Sequence, residues 1–489
     1  MDYMQRCTTF KLVHSMTRKL WPKPEGEYRM TTISYTCDNW IPVKGEMKNK
    51  ISTLLREITE RYRNPDQVRL WMKKIPPIEA DGVIMERWAD ESLGSGFTGI
   101  CLLMGQLDYL YPKNGWDIVG HQYLERIRMV VEQKGVHDLS LYSGLAGIML
   151  AIYSLSRKGT RYQGMLDALA SWFEEAALQS LALHRIEWEK GELRMSQYDT
   201  ISGFAGVGRI AMLFLNRPGM QMVWEQTMDL FHVMCGEKNL NGHTVPAWHI
   251  SSEHQFQEDE KLQYPQGNFN LGISHGIAGP LCFLSLSALH GVDASPLMND
   301  IHRLGKFIHH WRVQDVEGII WPGRISFGEW LDGQLLSGST RNYRDSWCYG
   351  VPGIARSIWL AGQAVHNEEW LETGLSAYLD IEKRLHRKGG LSSATLCHGI
   401  GGLLHLVQRM YSDTSHEQLG RIRDRLLEDV LDMFDANSLF GFYDHSLLDG
   451  RLAEVDEAGF LNGSAGVALV LASLIGDQNP EWDAAFLIR

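Results

Sequence analysis

Nearly continuous apolar stretches recur along the chain, and each follows two glycines separated by two residues. Runs such as ICLLMGQLDYL, IMLAIYSL, PLCFLSLSAL and VALVLASLI are long enough for a helix and apolar on nearly every side. This pattern is typical of a fully buried helix. The first glycines of the pairs are Gly96, Gly144, Gly203, Gly276, Gly350, Gly399 and Gly463. The pattern therefore predicts seven repeats, each with one buried inner helix.

Amphipathic segments alternate with these runs. NKISTLLREITERY, HQYLERIRMVVEQ and SHEQLGRIRDRLLEDVLDMF carry an apolar stripe at helical spacing and a charged opposite face, as expected of outer helices. The alternation predicts an all-α fold, an α/α toroid of seven helical hairpins, with a linear solenoid as the competing arrangement. We favour the closed ring because the inner helices are too uniformly apolar to line an open concave face.

The two longest intervals between repeats have a different composition. Residues about 236–274 and 313–345 contain β-branched and aromatic residues among polar loops, which favours strands. We therefore predict a small α+β accessory subdomain inserted into the toroid. Residues 46–489 are assigned to the toroid, and residues 1–45 show no clear period and are left unassigned.

Composition and charge narrow the functional classes. The chain is 44% hydrophobic and 22% charged, with a net charge of -12 and no dense Lys/Arg block, so nucleic acid is not an expected partner. No apolar run reaches the roughly 18 residues of a membrane span, and no secretory signal is evident. A cytoplasmic location is expected. The seven scattered cysteines predict free thiols rather than a disulfide framework.

Reactive side chains stand just before the glycine pairs of four consecutive repeats. If every repeat presents this position at the same end of the barrel, these residues form a ring around its mouth. The third to sixth repeats would contribute Asp199, His275, Cys348, Cys397 and His398. The sequence thus predicts that reactive groups converge from distant parts of the chain.

Cys348, Cys397 and His398 are candidate zinc ligands. Thiolates and imidazole suit Zn²⁺, and three protein ligands leave the fourth tetrahedral position open, as in catalytic zinc sites. The prediction is one Zn²⁺ per chain. The alternative is two buried free cysteines and a histidine that caps a helix.

Three further residues are candidate catalytic groups. His275 is the candidate acid or base, since imidazole titrates near neutral pH, although a histidine bonded to backbone in the core is the alternative. Asp199 would orient an imidazole or accept a proton, or else cap a helix. Arg344, four residues before Cys348, would stabilise an oxyanion at the mouth, unless it pairs with Asp345.

Three motifs in this order resemble a known family. RDSWCYG at 344–350, CHGIGG at 397–402 and SHGIAG at 274–279 are similar to the LanC-type lanthionine synthetases, the class I lanthipeptide (lantibiotic) cyclases. PAWHISSEHQF and YPQGNFNLG, which precede His275, resemble the free-standing cyclases of nisin and subtilin type. The resemblance runs from about residue 90 to the C-terminus.

The resemblance implies an activity, a cofactor and partners. It implies a zinc-dependent cyclase that adds cysteine thiols to dehydroalanine or dehydrobutyrine within one dehydrated precursor peptide, forming lanthionine and methyllanthionine. A separate dehydratase and an ABC exporter are the expected partners, in a complex that places the enzyme at the inner face of the membrane. The implied residues are Cys348, Cys397 and His398 for zinc, and His275, Asp199 and Arg344 for catalysis.

Two other functional classes remain open at the sequence level. A LanC-like protein without cyclase activity would bind glutathione through the same zinc. Another α/α-toroid protein, such as a glycosidase or a prenyltransferase-like enzyme, is the second alternative. A glycosidase needs two carboxylates at its site, and the ring positions offer only Asp199.

Overall fold

The fold is mostly helical. The computed structural model describes residues 39–489 except 81–82, 137, 293–294, 337, 339–343, 386–390 and 449–450. Residues 1–38, most of the segment left unassigned above, lie outside the described residues. None of the helices in the described part is long and apolar enough to cross a membrane.

The seven apolar runs form buried inner helices within the described ranges. Their bounds are Phe97–Leu110, Leu145–Leu155, Phe204–Ala211, Ala278–Leu289, Val351–Ala364, Ile400–Thr414 and Ser464–Ile475, and a 3-10 turn at Met212–Phe214 extends the third. Each begins immediately after, or two residues after, the first glycine of its pair. Each packs on the next, and the seventh packs on the first. The predicted α/α toroid is confirmed.

A circle of backbone hydrogen bonds closes the ring at one end. The bonds join neighbouring repeats through the residues just before the glycine pairs. In chain order they run from Gly94 N to Tyr142 O (3.4 Å), Tyr142 N to Ile201 O (3.2 Å), Thr200 N to Ser274 O (3.0 Å), Ser274 N to Cys348 O (3.3 Å), Cys348 N to Cys397 O (3.3 Å), Cys397 N to Leu461 O (2.9 Å) and Leu461 N to Gly94 O (2.8 Å). The last bond joins the seventh repeat to the first, so the alternative of a linear solenoid is wrong.

Outer helices surround the inner ring. Six of them follow an inner helix in the chain, at Trp116–Lys134, Gln163–Glu189, Pro218–Met234, Ser295–His310, Glu368–Leu379 and Glu417–Asp432. The seventh is the earliest described helix, Gly45–Glu60, which packs on the last inner helix. Shorter helices lie at Pro65–Met72, Met195–Tyr198, Glu258–Gln263, Phe327–Asp332 and Ile381–Arg384. The chain thus closes its ring by pairing its first described helix with its last.

The glycine pairs are required for close approach rather than for an unusual backbone angle. The first glycines precede the helices in extended conformation, with φ of -123° at Gly96 and -111° at Gly399. A Cβ on the second glycine would collide with backbone: at Gly402 it would lie 1.9 Å from the carbonyl oxygen of Leu396. Each inner helix therefore starts in contact with the loop that leads into it.

The described part of the chain also contains short antiparallel strand pairs. The pairs are Ile78–Ala80 with Val83–Met85, Glu237–Leu240 with His243–Pro246, Asn268–Asn270 with Arg324–Ser326, Val313–Asp315 with Gly318–Ile320, and Tyr443–Leu448 with Arg451–Asp456. The third pair joins the two segments proposed as an accessory subdomain; residues 337 and 339–343 of the second segment lie outside the described part. The hairpins at 78–85 and 443–456 were not predicted, because short strands carry a weak local pattern.

The C-terminal segment, residues 481–489, packs inside the ring. Ala484, Ala485 and Leu487 are almost completely buried. The inner-helix arginines hold the segment by its backbone: Arg356 Nη2 donates to Ile488 O (2.7 Å) and Arg209 Nε to Arg489 O (3.0 Å). Helices from different repeats thus share one central contact.

Candidate active site

The mouth of the toroid lies where the inner helices begin. The circle of backbone bonds places the residues before each glycine pair side by side, and in the third to sixth repeats these include Asp199, His275, Cys348, Cys397 and His398. Helix N-termini carry partial positive charge. Their convergence makes the mouth favourable for thiolates and for oxygen atoms that gain negative charge during a reaction.

Asp199 holds the imidazole of His275. The Nδ1 atom of His275 lies 2.5 Å from Asp199 Oδ2, and the aspartate is fully buried. The His275 side chain keeps 26% of its surface exposed, so its other nitrogen is the one available to a substrate. The alternative of a core histidine bonded to backbone is wrong, because the partner is a carboxylate.

The same carboxylate also organises its own loop. Asp199 Oδ1 accepts hydrogen bonds from the backbone N–H groups of Ser202 (2.7 Å) and Gly203 (2.8 Å). One oxygen of Asp199 therefore caps the loop as predicted, and the other contacts the imidazole of His275; its catalytic role stays a prediction.

Serines occupy this position in the first two repeats. Ser92 Oγ accepts from Ser95 N (3.1 Å), and Ser140 Oγ accepts from Ser143 N (3.2 Å). The single serine oxygen also donates its proton, from Ser92 to Tyr142 O and from Ser140 to Asp138 Oδ1. The aspartate of the third repeat has a second oxygen, which faces an imidazole. The substitution of Asp for Ser at one position of a repeated loop is a signal that alignment of the repeats would have revealed.

The two cysteine side chains of the fifth and sixth repeats meet. A hydrogen bond from the Cys397 thiol, with the nearby charge of His398, lowers the pKa of Cys348 to about 6 in spite of burial. The same contact raises the pKa of Cys397, because a thiolate beside it disfavours a second negative charge. The contact therefore favours the thiolate form of Cys348 beside a protonated Cys397. Two sulfur donors are half the ligand set of a tetrahedral zinc site.

His398 lies against a carboxylate that the sequence did not point to. Its Nε2 is 3.5 Å from Oδ1 of Asp444, on the strand Tyr443–Leu448, and this contact raises the pKa of His398. A metal-binding histidine commonly gives its other nitrogen to a carboxylate, and Nδ1 is the nitrogen left for a metal. No three His, Cys, Asp or Glu side chains in the described ranges already stand as a metal cluster, but the donor set fits zinc.

Arg344 is exposed at the edge of the site. Its positive charge partly opposes the rise in pKa that Cys348 causes in Cys397 and that Asp444 causes in His398. Among the described residues no ion pair joins it to Asp345, which instead accepts from the buried Arg384 at 2.9 Å. Arg344 is thus placed to act on charge at the mouth.

Aromatic side chains line the space beside His275. The ring of Phe256 meets the imidazole edge to face at 4.9 Å between centroids, and Phe256 is half exposed. Tyr349 lies 6.1 Å away, accepts a hydrogen bond from Asn270 Nδ2 at 3.0 Å, and has its pKa raised to about 12 by burial. Phe256 and Asn270 were missed, because they belong to the irregular segment before the fourth glycine pair.

Comparisons with known proteins agree with this geometry. The sequence profile of the family described as lanthionine synthetase C-like protein matches residues 87–487. The chain is 25% identical over 403 residues to the nisin biosynthesis protein NisC of Lactococcus lactis subsp. lactis, covering 81% of this chain and 88% of that protein. The solved structure of nisin cyclase matches with a TM-score of 0.71 and 22% identity, covering 91% of this chain and 98% of that one; at this identity the likeness shows the fold.

Proposed function

Because the chain belongs to the lanthionine synthetase C-like family, we propose that it is a cyclase that closes thioether rings in a dehydrated precursor peptide. In this reaction a cysteine thiol of the peptide adds to the β-carbon of a dehydroalanine or dehydrobutyrine of the same peptide. One C–S bond forms at the β-carbon, and the C=C double bond becomes a single bond. The thiol loses its proton and the α-carbon gains one, so the atoms balance. The observation that carries the proposal is the contact between the thiols of Cys348 and Cys397 at the end of the ring where Asp199 also holds His275.

Cys348, Cys397 and His398 are the proposed ligands of one zinc ion. Bound there, zinc would supply the Lewis acidity that keeps a substrate thiol deprotonated near neutral pH. Two thiolate ligands donate electron density, so the substrate sulfur would stay nucleophilic. Asp444 supports this assignment, because it occupies the place of the carboxylate that orients a metal-bound imidazole.

His275 is the proposed proton donor for the α-carbon. Its Nδ1 is fixed by Asp199, which stabilises the imidazolium and leaves Nε2 to carry the proton. Arg344 would stabilise the negative charge that develops on the carbonyl oxygen next to the α-carbon. In this scheme Asp199 is a positioning residue, and a separate dehydratase supplies the dehydrated residues.

Metal content and thiol consumption test the proposal together. We expect about one zinc per wild-type chain, which follows from a single three-ligand site, and loss of it in Cys397→Ala. We also expect wild-type protein, but not the variant, to remove the free thiol of a dehydrated peptide, scored by alkylation and mass spectrometry. Cys235→Ala, which removes a buried cysteine outside the mouth, is the matched control.

The possible outcomes separate the alternatives. Zinc without thiol consumption would favour the glutathione-binding function. A folded wild-type protein that binds no zinc would contradict the assignment of Cys348, Cys397 and His398.

A further inference from the structure

The accessory segment at about 236–274 reaches the proposed proton donor through one aromatic side chain. Phe256 lies between the 3-10 turn Ser252–His254 and the helix Glu258–Gln263, and its ring meets the imidazole of His275 edge to face. The ring centroids are 4.9 Å apart and the ring planes are at 71°. Phe256 is 50% exposed, so its ring contributes little to the core. Its ring contact is with a residue of the site.

Buried hydrogen bonds fix the loop that carries Phe256. The neighbouring residue, Gln255, is 5% exposed, and its Oε1 accepts from Asn268 Nδ2 at 2.9 Å. Asn268 is fully buried in a short strand and exchanges two backbone hydrogen bonds with Ile250. The residue next to Phe256 is thus anchored inside the accessory segment, which limits how far the phenyl ring can move away from His275.

The accessory segments also support the second aromatic neighbour of the imidazole. The ring of Tyr349 lies 6.1 Å from that of His275, and its hydroxyl accepts from Asn270 Nδ2 at 3.0 Å. The guanidinium of Arg324 lies 5.2 Å from the centroid of the Tyr349 ring and is paired with Glu260. Both rings beside the imidazole are therefore held by residues that lie outside the repeats.

The orientation of this imidazole matters for the proposed reaction. Asp199 fixes only Nδ1 of His275, and the outer side-chain torsion of a histidine has broad minima, so one hydrogen bond leaves the ring free to rock. The α-carbon of a dehydroalanine is planar and becomes a stereocentre when it is protonated. The face that receives the proton sets the configuration, so a donor that rocks delivers its proton less selectively.

We propose that Phe256 is a positioning residue: its ring restrains the imidazole of His275 so that the proton reaches one face of the α-carbon. The inference rests on the proposed function for the reaction itself. It gives the accessory segment a part in the stereochemistry of ring closure, through contact with His275 and without a contact to the thiol pair.

Three variants test the inference. Phe256→Ala removes the ring, and Phe256→Tyr keeps it. Leu262→Ala removes an apolar side chain that is 80% exposed in the same accessory segment and is the matched control. The probe is a synthetic peptide with one dehydroalanine and one cysteine, cyclised by zinc-loaded full-length protein. The lanthionine is released by hydrolysis, and its α-carbon configuration is measured by chiral gas chromatography and mass spectrometry.

We expect the ratio of minor to major isomer to rise about two- to tenfold in Phe256→Ala, the change in an equilibrium that one aromatic pair contributes. The kcat should fall by no more than the same factor, with KM and zinc content near wild type. Phe256→Tyr and Leu262→Ala should keep the wild-type ratio. An unchanged ratio in Phe256→Ala, whatever happens to kcat or KM, would overturn the inference, because a merely structural side chain does not alter the face of protonation.

Chemical modification without any peptide separates the inference from the proposed function. Diethyl pyrocarbonate acylates accessible imidazole nitrogens, and peptide mapping by mass spectrometry gives the rate at His275. Loss of the restraining ring should raise this rate about two- to tenfold in Phe256→Ala, and Leu262→Ala should react as the wild type does. If the wild type forms no lanthionine, a faster rate would still support the restraint of His275 while the cyclase proposal fails. Equal rates in that case would contradict the restraint as well.

Discussion

His398 Nε2 lies 3.5 Å from Asp444 Oδ1, although no pattern in the sequence connects the two residues. Asp444 is 3% exposed, and its second oxygen accepts from Ser446 Oγ at 2.8 Å, so the carboxylate is held in place by its own hairpin. A fixed carboxylate on one nitrogen restricts the ring orientation of a histidine and makes its other nitrogen a better metal ligand. The affinity of the proposed zinc site should therefore depend on a residue that is not a ligand.

Asp444→Asn tests this dependence. The change keeps the shape but removes the charge, and we expect the zinc affinity to fall about 10- to 100-fold, measured by competition with a chromophoric chelator. Glu454→Gln, an exposed change on the partner strand of the same hairpin, should leave the affinity unchanged. Equal affinities of all three proteins would reduce Asp444 to a structural role in the hairpin.

Asp199→Asn tests the pair formed by Asp199 and His275. The amide oxygen can still accept from Ser202 and Gly203, but the NH₂ group would face His275 Nδ1 and disfavour the imidazolium. We expect kcat to fall about 10²- to 10⁴-fold, the usual contribution of general acid–base catalysis, with zinc content and KM near wild type.

Asp138→Asn is the control for Asp199→Asn. Asp138 accepts from Ser140 N at 2.8 Å in the corresponding loop of the second repeat, which carries no imidazole at its ring position. It should keep the wild-type rate. A parallel loss in both variants would mean that the loops, not the histidine contact, determine activity.

At the scale of elements, the inner helices are joined to their loops by glycine contacts. A Cβ on Gly466 would lie 2.0 Å from Phe460 O and 2.9 Å from Leu396 Cδ1 of the preceding repeat. The second glycine thus fixes both the start of its helix and the spacing between two repeats.

Gly466→Ala should therefore destabilise the ring. We expect the free energy of unfolding to fall by about 1–3 kcal/mol or more, as for overpacked cores, measured by chemical denaturation. Gly328→Ala, in the short helix Phe327–Asp332 with nothing within 4 Å of its new Cβ, should be neutral or stabilising by up to about 1 kcal/mol. If Gly466→Ala were as stable as the wild type, the loop at Phe460 would be able to move away from the added methyl group.

The same elements show what the sequence could predict. The inner helices and the convergence of His275 and Cys348 followed from a repeated register, because every repeat places the residue before its glycine pair at the same end. The hairpin that carries Asp444 lies between repeats and has no counterpart in them, so periodicity contains no information about it. Its contact with His398 depends on packing across the mouth, which only the folded chain reveals.

At the scale of the whole molecule, the C-terminal segment connects the site to the core. Trp347 precedes Cys348, is fully buried, and donates its indole N–H to Phe486 O at 3.2 Å. Arg409 of the sixth inner helix donates to Asp483 Oδ2 at 2.5 Å, with both side chains 1% exposed. The C-terminal segment therefore contacts repeats that are far apart in sequence, and it does so next to the residue that precedes Cys348.

Asp483→Asn tests this bracing. The change leaves Arg409 buried without its counter-charge, and we expect the free energy of unfolding at pH 7 to fall by about 3–5 kcal/mol. Burial alone would raise the pKa of Asp483, but Arg409 and His405 hold that pKa below its usual value. Its contribution is therefore complete above the unfolded pKa of about 4 and is lost only as the pH falls further.

The difference in stability between wild type and Asp483→Asn should stay constant from pH 7 to about pH 5, because Asp483 is ionised in both the folded and unfolded wild type over that range. It should shrink below that range, as unfolded-state protonation removes the advantage of the charged form. Asp432→Asn, an exposed change at the end of an outer helix, should show neither effect. If Asp483→Asn were as stable as wild type at pH 7, the inner helices alone would hold the ring, and the thiol pair would not depend on the segment beneath it.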